Sequence, residues 1–116
     1  MRIPPLVFTK LSGAGNDFIL LDAAKLARGA SRPALARRLC PRRSSVGANG
    51  LLVLDRRGPG GIPSVDHYNA DGSRAFCANG SRCAAWWMFR RGWAGKRMRF
   101  LSSGKPVDAA VFGSRG

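Results

Sequence analysis

Acidic residues are scarce in this sequence, with 6 Asp and Glu against 20 Lys and Arg in 116 residues. There is one histidine, His67, and the three cysteines, Cys40, Cys77 and Cys83, form no paired C-x-x-C motif. That supply of ligands excludes the usual structural metal sites, and no metal is expected. An odd cysteine count without an export signal argues for free thiols rather than a disulfide framework. The longest apolar run, Cys83 to Phe89, has seven residues. A bilayer span needs about 20, so no membrane role is expected. Arg2 precedes no apolar leader segment before Lys10, and the expected location is the cytoplasm.

What is present suits one globular domain. The chain is 45% hydrophobic, which sets it apart from disordered sequences. Its formal charge is +14, and 16 of the 20 basic residues are Arg, the lysines being Lys10, Lys25, Lys96 and Lys105. Such a charge is the electrostatic footprint of nucleic-acid binders. Here the arginines are scattered among apolar positions instead of gathered in a tail. A basic nucleic-acid-binding module is therefore kept as an alternative.

Periodicity predicts strands at Val7 to Leu11 and Asp17 to Asp22, joined by a turn at Ser12-Gly13-Ala14-Gly15. Ser31 is an expected N-cap, with Pro33 in the first turn and a helix to Cys40 that Pro41 stops. Val46 to Gly50 reads as a turn and Leu51 to Leu54 as a buried strand. A Gly/Pro loop from Arg56 to Pro63 leads to a strand at Val65 to Tyr68 and a turn at Asn69 to Ser73. A second helix is expected from Cys77 to Arg91, starting near Asn79 or Gly80. Its body, Cys83 to Phe89, is apolar all round, which implies burial on every side. Met98 to Leu101 and Val107 to Phe112 read as further strands. The expected layout is α+β, with strands wrapped around a central helix, and the chain reads as cut rather than finished at Gly116.

Three segments bear on chemistry. Gly13-Ala14-Gly15-Asn16-Asp17-Phe18 opens like a dinucleotide-binding loop, but it lacks the third glycine and a strand follows where a helix is required. Asn16 could hydrogen-bond a ligand or merely satisfy its own turn. Asn49-Gly50 is explained by turn chemistry. Cys77-Ala78-Asn79-Gly80-Ser81-Arg82-Cys83 is the most informative stretch. It sets a thiol just before the start of a buried helix, where unpaired N–H groups and the positive dipole end favour an anion. That environment promotes a thiolate and can also hold a substrate carboxylate. Small residues at Ala78 and Gly80 would let a ligand approach the backbone. Cys83 and Cys40 read as buried apolar residues.

These residues carry a family resemblance. Phe8 to Phe18 resembles the opening motif of diaminopimelate epimerases. Leu39-Cys40 with Val46-Gly47-Ala48-Asn49-Gly50-Leu51 resembles their second motif. Tyr68-Asn69-Ala70-Asp71-Gly72-Ser73 with Cys77 to Cys83 resembles the third, which contains a catalytic cysteine. Ser102-Ser103-Gly104 is similar to a weaker segment after the central helix.

The resemblance implies a diaminopimelate-epimerase-like domain, a curved mixed β-sheet around a central helix, as the first of two similar domains. It implies interconversion of LL- and meso-diaminopimelate in lysine biosynthesis, with no cofactor. A thiolate removes the α-proton and a thiol returns one from the opposite face. Cys77 is the implied acid/base, with Asn16, Asn69, Ala78 and Asn79 contacting the substrate. The second cysteine would come from a C-terminal domain absent from these residues. A fragment of this kind is expected to be inactive alone, to expose an apolar patch and to self-associate, a homodimer being one form of that. Three departures stand out. Ala78 replaces the usual Gly, Asn49 replaces the usual Asp, and the link from Asn69 to Cys77 is one residue shorter. Proline racemases and phenazine-type isomerases share the architecture and form a further alternative.

Overall fold

The computed structural model describes residues 8–13, 15–27, 29–41 and 47–112. Val7, Ala14 and Val46, each part of an expected strand or turn, lie outside them. The first hairpin joins β1 (Thr9–Gly13) to β2 (Asn16–Asp22). Its turn is tighter than the expected Ser12 to Gly15, because Ser12 and Gly13 already pair with Asp17 and Asn16. Gly15 makes this possible with φ +88, and the Ser12 hydroxyl donates to Asp17 Oδ1 at 2.6 Å.

From β2 the chain crosses through α1 (Arg32–Leu39) to β3 (Gly50–Asp55), which runs parallel to β2. Ser31 caps α1 as expected, its Oγ accepting from the Ala34 N–H at 3.2 Å. β3 then pairs antiparallel with β4 (Ser64–Asn69). A two-residue strand, β5 (Arg74–Ala75), and the end of β6 (Arg97–Ser102) share the other edge of β4. β7 (Lys105–Ala110) closes the order β1-β2-β3-β4-β6-β7. The second helix, α2 (Ala78–Arg90), lies between β5 and β6 in sequence.

Strands β2 and β3 are near-continuous apolar runs because both their faces are covered. Phe18, Leu20, Leu52 and Leu54 pack with Cys83, Ala84, Ala85, Trp87 and Met88 of α2. The alternate residues Ile19, Leu21, Leu51 and Val53 pack with Ala36 of α1, Cys40 and Tyr68. Burying each large apolar side chain contributes roughly 1.5–3 kcal/mol, so these two layers carry the fold.

Helix α2 touches β1 and β7 as well as β2, β3 and β4. Laid flat, six strands would hold the outer two about 24 Å apart, more than twice the width of a helix. Both outer strands reach one helix only because the sheet curls around it, and the α+β arrangement with a central helix is the one observed.

Several expectations need correction. α2 begins at Ala78, ahead of the expected Asn79 or Gly80, because Cys77 already has the extended backbone of an N-cap. Its apolar body is not buried on every side. Trp86 and Phe89 are half-buried, and Trp86 lines an open groove beside Thr9 and Leu11 of β1. Their rings lie 6.0 Å apart, with the Arg90 guanidinium 5.6 Å above Trp86. Asn69 both ends β4 and opens the turn, its carbonyl accepting from the Gly72 N–H at 2.9 Å. The last strand stops at Ala110, and Phe112 beyond it is 82% exposed.

Candidate active site

Cys77 is the N-cap of α2, with φ −147 and ψ 129, and its side chain makes no capping hydrogen bond. Its carbonyl accepts from the Ser81 N–H at 2.9 Å, which starts the helical ladder. The N–H groups before Ser81 have no acceptor within the helix, and they carry the positive end of its dipole. The thiol is half-buried and packs against the α2 side of the core. Next to it Phe76 is 46% exposed, with the Lys105 Nζ 5.2 Å above its ring. Ala78, Arg82 and Phe76 line a groove of about 320 Å³ between α2 and β7.

The other two cysteines differ. Cys40 is 1% exposed and Cys83 is 7% exposed, and none of the three is in a disulfide. Burial pushes the Cys83 thiol up, and charge on Cys77 pushes it further. Cys83 therefore stays protonated and inert, as read from the sequence.

Asn16 and Asn79, 63 residues apart, meet directly. Asn79 Nδ2 donates to Asn16 Oδ1 at 2.9 Å, and Arg82 Nη1 donates to Asn79 Oδ1 at 3.0 Å. The first hairpin is thereby fixed against the first turn of α2, beside Cys77. Asn69 is not drawn into this contact. It shares the end of the sheet with Asn16, because Gly50 pairs with both Phe18 and Asn69. Its side chain instead donates to Ser73 Oγ at 3.0 Å within its own turn.

Two readings of small residues change. Gly80 does not open the backbone to a ligand, since it is buried and faces the sheet. A Cβ there would meet Leu52, Phe18 and His67 at 3.4–3.5 Å, so its smallness serves helix–sheet contact. Asn49 does more than turn the chain. Its Oδ1 accepts from the Asp17 N–H at 2.8 Å and secures the start of β2. Gly50 is in β3, and a Cβ there would come within 2.7 Å of His67 Nε2.

His67 was not singled out by the sequence, yet it sits under α2. It is 4% exposed, edge-on to Phe18 at 5.5 Å, and burial holds its pKa below the ordinary value. It is a neutral wedge between the sheet and the helix start. Arg82, which donates to Asn79, was not singled out either. Its only sequence signal was its place within the cysteine motif.

Comparison with known proteins bears on this geometry. No family model matches the chain. The diaminopimelate epimerase of Aquifex aeolicus is 36% identical over 114 residues, covering 90% of this chain and 41% of that protein. The Xanthomonas oryzae pv. oryzae enzyme of the same name is 43% identical over 108 residues, covering 90% and 36%. This chain is related to the diaminopimelate epimerases. A third epimerase, from Caldanaerobacter subterraneus subsp. tengcongensis, is 42% identical over 93 residues and covers 78% of this chain and 32% of its own length. The chain thus spans about two fifths of the length of the epimerases it matches.

Solved structures agree on the fold. A methylitaconate-delta-isomerase superposes with TM-score 0.70 at 10% identity, covering 90% of this chain and 34% of that one. A phenazine biosynthesis PhzF-family protein of Enterococcus faecalis gives 0.63 at 13% identity, covering 84% and 35%. The α+β fold is the one shared by these proteins and by the diaminopimelate epimerases. Among the described residues no helix is long and apolar enough to cross a membrane.

Proposed function

We propose that this chain supplies one half of a cofactor-independent diaminopimelate epimerase site, with Cys77 as one of its two acid/base thiols. The observation that carries the reading is a thiol at the uncapped start of a buried helix, adjoining the Asn16–Asn79 contact. The epimerase relatives support the choice of substrate.

The chemistry follows from the arrangement. Inverting an α-carbon needs a base on one face and an acid on the other. Cys77 takes or gives the proton on its face, with the electron pair of the broken C–H bond passing toward the α-carboxylate. The Ala78 and Asn79 N–H groups face that developing charge from the helix start, fixed before reaction begins. Asn16 and Asn79 orient the same end of the substrate. Asn69 contacts it only after its side chain leaves Ser73.

The partner thiol and the groups that bind the distal amino-acid end come from sequence that the relatives carry beyond the span matched here. On this reading the chain is the N-terminal domain of a two-domain enzyme of lysine biosynthesis, acting in the cytoplasm and inactive by itself. The partly exposed Phe76 beside Cys77 belongs to the surface that the second domain covers, and a homodimer through it is the alternative pairing. Alkylation of Cys77 by iodoacetamide, followed by peptide mass spectrometry, tests the reading. Diaminopimelate should slow the reaction at Cys77, and an unchanged rate at saturating ligand would count against it.

A further inference from the structure

The contacts around Asn79 have a direction, and the direction is set by Arg82. A guanidinium carries donors and no acceptor. The Asn79 atom facing Arg82 Nη1 at 3.0 Å must therefore be the carbonyl Oδ1. That turns the Asn79 amide nitrogen away from Arg82, where it donates to Asn16 Oδ1 at 2.9 Å. With its oxygen engaged, Asn16 is left with its own Nδ2 as the free group, and among the described residues nothing accepts from it.

We propose that Arg82 is a positioning residue, which fixes the two asparagine amides so that Asn16 presents an N–H donor, not a carbonyl, beside Cys77. An asparagine amide alone has no such preference, since its two ends have nearly the same shape. A donor in that place attracts a carboxylate, and the opposite orientation would repel one. The preference for an anionic α-carboxylate rests on the epimerase reading above, whereas the orientation itself does not. Arg82 acts without touching the substrate, through a relay of two hydrogen bonds.

Reversing the polarity at position 82 tests this. Arg82 is exposed, so a substitution there leaves the core untouched. In Arg82→Glu the new carboxylate has only acceptors at neutral pH, so Asn79 must turn its Nδ2 outward. Its Oδ1 then faces Asn16, whose Nδ2 becomes the donor and whose oxygen is exposed. Side-chain amide NMR of the whole chain reads the change. In the parent the Asn16 amide protons should exchange as a free amide does, and in Arg82→Glu they should slow several-fold. Arg82→Lys, which still offers only donors, should keep the parent pattern.

An Asn16 amide unchanged by Arg82→Glu, or changed to the same extent by Arg82→Lys, overturns the proposal. Diaminopimelate supplies a separate arm. It should shift the Asn16 Nδ2 protons of the parent chain, and Arg82→Glu should weaken that binding about tenfold or more, the scale of a lost hydrogen bond to a charge. Amide reversal without any diaminopimelate shift upholds the relay and counts against the substrate reading alone.

Discussion

The two α-helices among the described residues begin in opposite ways. At the start of α1, Ser31 closes the helix by accepting from Ala34 N–H. Arg32 follows, a charge of the wrong sign for a helix N-terminus, and ion pairs with Asp66 at 2.7 Å and Asp55 at 3.4 Å offset it. At the start of α2, Cys77 occupies the capping position without capping, and no acidic residue lies in the first turn. One helix end is completed by its own side chains. The other receives no capping bond from the side chain at its N-cap. A folding requirement alone would favour Ser or Asp at both positions.

The largest predicted difference lies in thiol reactivity. Cys77 should be alkylated at least about a hundredfold faster than Cys40 or Cys83 in the native chain, because the buried thiols react only through opening of the structure. Mass spectrometry of each labelled peptide over time gives the ratio. Comparable rates at Cys77 and Cys83 would mean that the two ends of this helix turn are equally exposed.

Next comes the support beneath α2. Gly50→Ala would press a methyl group against His67 Nε2, with 2.7 Å available, and should cost about 1–3 kcal/mol in urea unfolding. Gly80→Ala meets only ordinary contact distances at 3.4–3.5 Å and should cost less than Gly50→Ala. Equal costs would show that His67 yields easily.

The capping comparison predicts changes of opposite sign. Ser31→Ala should destabilise the chain by about 1 kcal/mol, while Cys77→Ser, by adding a capping oxygen to α2, should stabilise it by up to about 1 kcal/mol. Loss of stability in Cys77→Ser would mean that the position is built for the sulfur's packing.

A smaller effect concerns pH. Burial lowers the His67 pKa below 6.5 in the folded chain, so the unfolded chain takes up the proton first. The neutral ring faces Phe18, Leu52, Gly50, Gly80 and Ala75, none of them charged. Stability should be full above pH 6.5 and fall as the pH drops below it. His67→Gln should remove that first decline, leaving only the losses from carboxylates at lower pH. An identical acid profile in the variant would contradict this account of the wedge.

Much of this was legible in the sequence for a physical reason. Ser31, Pro33 and Pro41 mark α1 through purely local chemistry. The apolar runs of β2 and β3 announce burial on both faces, and Cys77 before an apolar helix announces the open helix start. What the sequence hid depends on long-range placement. The Asn16–Asn79 contact spans 63 residues. Asn49 reaches back to Asp17 across 32. Gly80 looked like a ligand-facing residue, and only the packing of α2 on Phe18 and Leu52 shows which way it faces. Trp86 and Phe89 looked buried because composition cannot tell a helix enclosed on all sides from one with part of its surface left exposed.

In the proposed reaction the thiol at the open start of α2 moves the substrate's α-proton. The most direct measurement joins this chain to the remaining portion of a diaminopimelate epimerase relative. It follows LL-to-meso conversion in deuterated water, with and without Cys77→Ala. Solvent deuterium should appear at the inverted α-carbon, and turnover should fall roughly a hundredfold or more in the variant. Turnover retained at the parent rate after Cys77→Ala would contradict it.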